Sequence, residues 1–87
     1  MRQIEDFFGQ EELVLVFIAK KLREARAVEA AFEAAAVDYL VEADKYRGGV
    51  LFVRELIGAF FYVREVDTEK AHATLLAGNW KPYEPLA

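Results

Sequence analysis

Two stretches ten residues apart share one pattern: Leu51-Phe52-Val53-Arg54-Glu55-Leu56 and Phe61-Tyr62-Val63-Arg64-Glu65-Val66, joined by Ile57-Gly58-Ala59-Phe60. Both are rich in β-branched and aromatic residues, which fit a pleated, half-buried surface. The pattern predicts a β-hairpin with the loop Leu56-Ile57-Gly58, Gly58 taking a left-handed conformation without a Cβ penalty. Glu55 then faces Ala59, Val53 faces Phe61 and Leu51 faces Val63, giving one mainly apolar face. The other face pairs Phe52 with Tyr62 and Arg54 with Phe60, and sets Arg64 beside Val50, a surface of rings and guanidinium groups. A slip of one residue would exchange the two sets, because side chains alternate along a strand.

Upstream, Leu13-Val14-Leu15-Val16-Phe17-Ile18 is apolar without alternation, the pattern of a central strand covered on both faces. From Lys20 the period changes. Leu22, Ala25, Phe32 and Ala36 fall on one face of an amphipathic helix, and Lys21, Arg23, Glu24, Arg26 and Glu33 fall largely on the other. Ala34-Ala35-Ala36 favours continuing that helix, whereas Val37-Asp38-Tyr39-Leu40-Val41-Glu42 alternates and carries β-formers. We read residues 37–43 as a strand, with one long helix to Asp44 as the competing arrangement. Asp44-Lys45-Tyr46-Arg47-Gly48-Gly49 reads as a polar connection. Asp67 or Thr68 suits a helix start, Ala71, Leu75 and Leu76 recur at helical spacing, and Gly78 supplies a stop.

The expected architecture is one α+β domain over residues 1–87: an arm (1–11), a core (12–78) and an extended tail (79–87). Its sheet is mainly antiparallel with two helices on one face, which leaves the other face uncovered. A chain of 87 residues builds a thin core, and 55% hydrophobic with 14% aromatic residues is more apolar surface than such a core hides. Homo-oligomerisation through the uncovered face is the expected outcome. Cysteine is absent, which removes disulfides and thiolate metal sites and fits a reducing, cytoplasmic compartment. A net charge of −4 argues against nucleic acid and anionic membranes as partners, and the longest apolar run, Leu13 to Ala19, is too short to span a bilayer.

Glu24-Ala25 on the first helix, Val37-Asp38-Tyr39 after it, Phe61-Tyr62-Val63 on the later strand and Asp67 with Ala71 on the last helix form a recognisable set. Over residues 13–78 the chain resembles the small signal-transducing proteins of bacteria that share the ferredoxin-like fold of the nitrogen-regulatory PII proteins. The resemblance implies a non-enzymatic regulatory or adaptor module that is commonly oligomeric. The family's usual glycine before Val37 is Ala36 here. Adenine-nucleotide binding, known in the PII branch, does not carry over, because no glycine-rich phosphate loop followed by lysine is present and residues 44–50 are too few for a long effector loop.

Among residues with chemistry, His72 is the single histidine and has only Glu69, one turn away, as a neighbouring partner. The carboxylates between Glu24 and Asp44 alternate with Lys20, Lys21, Arg23 and Arg26 in the manner of a solvated helix face. Serine and cysteine are both absent, so neither can act as a nucleophile. No catalytic, cofactor or metal residue is assigned. Phe52, Arg54, Phe60, Tyr62 and Arg64, with Trp80 from the tail, form the expected interface or ligand face, since rings and arginine are enriched where subunits meet. The alternatives are a small enzyme whose site at a subunit boundary uses His72, arginines and carboxylates of two chains, and a single-stranded RNA binder using the sheet face. Against the latter, Ile57 stands where the RNA-recognition signature has a basic residue.

Overall fold

A computed structural model describes residues 1–48 and 54–84. The elements run α1 (Glu5–Phe8), β1 (Leu13–Ala19), α2 (Leu22–Ala34), β2 (Leu40–Gly48), β3 (Arg54–Arg64), a short 3₁₀ turn (Glu65–Asp67) and α3 (Thr68–Ala77). The sheet has the order β1-β3-β2, with β3 antiparallel to both neighbours. The fold is therefore α+β with a three-stranded antiparallel sheet.

The hairpin expected about Gly58 is not formed. Residues 54–64 make one continuous strand, in which Gly58 lies opposite Asp44 and Phe61 opposite Val41. The run has no Asn, Asp or Pro to break it, and β-branched Ile57 favours extension over a turn. Glycine at position 58 answers a different need. An added Cβ would lie 3.0 Å from the Tyr46 ring and 3.1 Å from Ile18, so the bare backbone makes room for Tyr46 to lie across β3. The hairpin instead joins β2 to β3. The expected first arm, Leu51 to Val53, lies outside the described residues.

β2 also corrects the expected boundaries. The strand begins at Leu40, three residues later than expected, and takes up Asp44 to Gly48, read from the sequence as a connection. Its alternation (Leu40, Glu42, Asp44, Tyr46 on one side; Val41, Ala43, Lys45, Arg47 on the other) runs through the polar segment, and nine ladder pairs with β3 hold it.

The helix does not continue past Ala34. Ala36 takes a left-handed φ of 57°, the Ala36 amide donates to Glu33 O and the Val37 amide to Phe32 O. That is a Schellman closure with alanine where glycine is usual, and the accompanying apolar contact is between Phe32 and Val37, both buried. α3 ends in the same way: Asn79 has φ 65°, its amide donates to Leu76 O and the Trp80 amide to Leu75 O. Asn79, and not Gly78, holds the left-handed position.

β1 is an edge strand and β3 the central one, contrary to the expectation for Leu13–Ile18. Its apolar run lacks alternation partly because of a bulge between Leu15 and Phe17. Val14, Phe17 and Ala19 pair with the helix-side residues of β3, whereas Leu13, Leu15 and Ile18 pair with the opposite set. Its outer edge is met by the tail, where the Tyr83 amide donates to Val16 O at 2.7 Å. At the other edge, Tyr39 bridges Arg2, with the Gln3 amide donating to Tyr39 O.

Both long helices cover one sheet face. Val28 and Phe32 of α2 and Ala71 and Leu75 of α3 join Val16, Phe61 and Val63 in a core whose members are at most 8% exposed. At its centre the Phe61 ring packs against Phe32 edge-on at 5.9 Å and against Tyr39 at 5.8 Å.

Candidate binding face

Alternation along β3 sends Phe61 and Val63 into the core, and thus Phe60, Tyr62 and Arg64 to the sheet face without α2 and α3. The ladder places Leu13, Leu15 and Ile18 of β1 and Leu40, Glu42, Asp44 and Tyr46 of β2 on that same face. Phe8, Leu40 and Phe60 are buried without belonging to the main core. They mark a second, thinner apolar layer, to which α1 contributes Phe8 at one end. Ile4 and Phe7 of the same arm remain exposed.

The two ends of this face differ in charge. At the end where β1 and β2 begin, a cavity of about 330 Å³ is lined by Phe8, Leu13, Leu40 and Tyr62 with three carboxylates, Glu5, Glu11 and Glu42, and no cation. Burial pushes the Tyr62 phenol above its ordinary value, and the negative charges of Glu42 and Asp44 add to the shift. At the other end, a groove of about 470 Å³ runs past Leu15, Ile18, Phe60, Tyr46 and Tyr83. The charged residues lining it, Lys20, Lys45, Arg47 and Lys81, are all cationic.

The expected site residues are only partly brought together. Phe60 and Tyr62 share the open face. Arg64 lies at its acidic end, but its guanidinium is held by Asp67 at 3.2 Å and Asp38 at 3.4 Å. It ties the β2 approach to the start of α3. Trp80 lies apart: it packs against the main core and over Gly78, near Lys21 and Glu24 of α2. Phe52 lies outside the described residues, and Arg54 is placed only by its backbone pairing with Gly48. Lys20, Tyr46, Arg47 and Lys81 were not anticipated, whereas Tyr83, like Trp80, is a tail residue expected either to clasp a neighbouring subunit or to cover the domain's own sheet edge. For Tyr46 the signal was the period-two alternation of residues 40–46, which sends Arg47 to the other side; Lys81 and Tyr83 reach the groove through the path of the tail.

Away from this face, the Tyr39 hydroxyl donates to Glu33 at 3.0 Å, and Glu33 also accepts from the Arg2 amide at 3.0 Å. The Arg2 bond, followed by that of Tyr39, holds the Glu33 carboxyl below its ordinary range. Burial, reinforced by Glu33, pushes the Tyr39 phenol well up, so it stays a donor. The N-terminal ammonium donates to Val37 O and pairs with Asp38 at 3.6 Å. These contacts fasten the arm to the closure of α2.

His72 sits half-buried on α3, and among the described residues no three His, Cys, Asp or Glu side chains gather as a metal site. Among the described residues no helix is long and apolar enough to cross a membrane. No family model, curated protein or solved structure matches the chain.

Proposed function

We propose that this chain is a non-enzymatic regulatory or adaptor module of the ferredoxin-like, PII-like kind, cytoplasmic, acting as a homo-oligomer through the open face of its sheet. The observation that carries the reading is that face itself. A strip of Leu13, Leu15, Ile18, Leu40, Phe60 and Tyr62 runs along the sheet, met among the described residues by α1 at one end and by Lys81 and Tyr83 of the tail at the other. The ends of the strip are of opposite charge, so a second copy rotated by a two-fold axis would set its acidic end on the basic end of the first, twice over.

Area supports the same reading. The accessible surface of the chain is 6461 Å², whereas a compact monomer of 9.9 kDa scales to roughly 5,200 Å². The element order β-α-β-β-α supports the fold-level part, being that of the ferredoxin-like motif short of its last strand. The tail lies along the outer edge of β1, where one more strand would pair.

Light scattering and sedimentation over a wide concentration range test the proposal, with Leu15→Glu placing a charge in the middle of the strip, opposite Tyr62. The native chain should associate reversibly, and the variant should be a monomer with an unchanged circular dichroism spectrum. A native chain that stays monomeric into the millimolar range would refute the proposal.

A further inference from the structure

The groove at the basic end of the open face has a composition the rest of this acidic chain lacks. Three of its rings, Tyr46, Phe60 and Tyr83, come from β2, β3 and the tail, with Lys20 and Lys81 beside them, while Arg47 lines the groove from a position that alternates to the other side of β2. Of the nearby carboxylates, Asp44 accepts from the Lys45 amide at 2.7 Å, Glu24 accepts from the Lys20 amide at 3.1 Å, Glu55 pairs with Lys45 at 3.5 Å, and Glu42 lies opposite Phe60 towards the acidic end. Arg47 and Lys81 form no ion pair among the described residues, and the Lys20 ammonium stands 5.6 Å from the centre of the Tyr46 ring. A Cβ at Gly58 would meet the Ala19 carbonyl and the Tyr46 ring at 3.0 Å and Ile18 at 3.1 Å, so glycine keeps that part of the groove wall open.

We propose that this groove is a binding site for a small organic anion with a planar apolar body. The rings and Leu15 and Ile18 would take the flat part, and the cations the anionic group, whether carboxylate, sulfonate or phosphate. Its volume of about 470 Å³ suits a molecule of one to three fused or linked rings, since small-molecule sites occupy roughly 300–1,000 Å³. Charge complementarity selects the occupant. A neutral aromatic gains nothing from the exposed lysines at the rim, whereas an anion pairs with them and displaces little but loosely held counterions. All the groups come from a single chain. The groove shares Leu15, Ile18 and Phe60 with the strip proposed to receive a second copy, so the anion and the acidic end of that copy would compete for it, and the anion would act as the proposed module's effector.

The test uses anilinonaphthalene sulfonate as the probe and uncharged phenylnaphthylamine as its isosteric control. Each is titrated by fluorescence into the native chain and into the double variant Lys20→Gln/Lys81→Gln, with amide chemical shifts locating the site and sedimentation recording the association state. The expected result is saturable one-to-one binding of the sulfonate. The double variant and high salt should weaken it about tenfold, as two partly exposed charge contacts warrant. The amine should bind more weakly and indifferently to the substitutions, and shifts should centre on Tyr46, Phe60 and Tyr83. Lys81→Glu gives a second, stronger variant with the same expected direction. Absence of saturable binding, equal affinity for the two probes, or shifts centred on Glu5 and Glu42 would overturn the proposal. So would loss of association in the double variant with no change in probe affinity, because the cations would then be serving the acidic end of a second copy.

Discussion

Replacing Ala36 by glycine should stabilise this protein, as expected at the left-handed position that closes a helix. Ala36 holds a φ of 57° at the close of α2, where the left-handed conformation costs an L-residue about 1–2 kcal/mol. Glycine removes that strain but gives back roughly 0.5–1 kcal/mol through the greater freedom of its unfolded chain. The Ala36 side chain is exposed and no packing is lost, so the net gain should be about 0.5–1 kcal/mol. For a domain this small that is a rise of roughly 3–6 °C in Tm, and with a urea m-value near 1 kcal/mol/M, an increase in midpoint of about 0.5–1 M. Thermal and urea unfolding followed by circular dichroism suffice. The competing arrangement, one helix running on to Asp44, predicts the opposite sign, because glycine inside a helix costs about 1 kcal/mol. A lower Tm for Ala36→Gly would refute both the closure of α2 and the strand that follows it.

Phe60 and Phe61 are neighbours on opposite faces of β3, and truncating them should separate the two faces. Phe61→Ala removes a ring packed on Phe17, Phe32 and Tyr39 and should cost about 3–5 kcal/mol, most of the stability of a chain this size. Phe60→Ala, measured in the monomeric Leu15→Glu background, should cost less than half as much, and equal losses would contradict the two-sided strand. Glu33, whose pKa is lowered from its ordinary 4.5 by the Arg2 amide and Tyr39, contributes stability that is present above that value. That contribution is lost as pH falls through the lowered folded value, since the unfolded state then binds more protons. Urea midpoints should therefore fall less steeply below about pH 4.5 in Glu33→Gln than in the native chain, and parallel curves would place no role on Glu33.

The separation of β3 into two faces was legible because it depends only on odd and even positions. Phe60, Tyr62 and Arg64 lie together whether the chain turns at Gly58 or runs straight through it. What the pattern could not locate was the turn. A single glycine flanked by Ile57 and Ala59 is compatible with a turn or with a bald spot on a strand, and only the ring of Tyr46 laid over it decides between them. The polar composition of Asp44 to Gly48 similarly hid a strand, because on a solvated hairpin apolar residues are not required at every second position. The two helices were clear from their period, and the end of α2 was not, since alanine carries no mark of the left-handed conformation it takes at position 36. Part of the groove was illegible for a different reason: Lys81 reaches it through a tail held by one backbone bond to β1.

The most direct test of the central claim, that the open sheet face receives a second copy of the chain, is an isotope-filtered NOE experiment on an equal mixture of labelled and unlabelled protein. Leu13, Leu15, Ile18 and Tyr62 should show contacts between copies, and signals from Glu5 to Phe8 of one copy should reach Lys20 and Tyr46 of the other. Contacts between copies confined to Leu22 or Leu76 on the helices, or none at millimolar concentration, would contradict it.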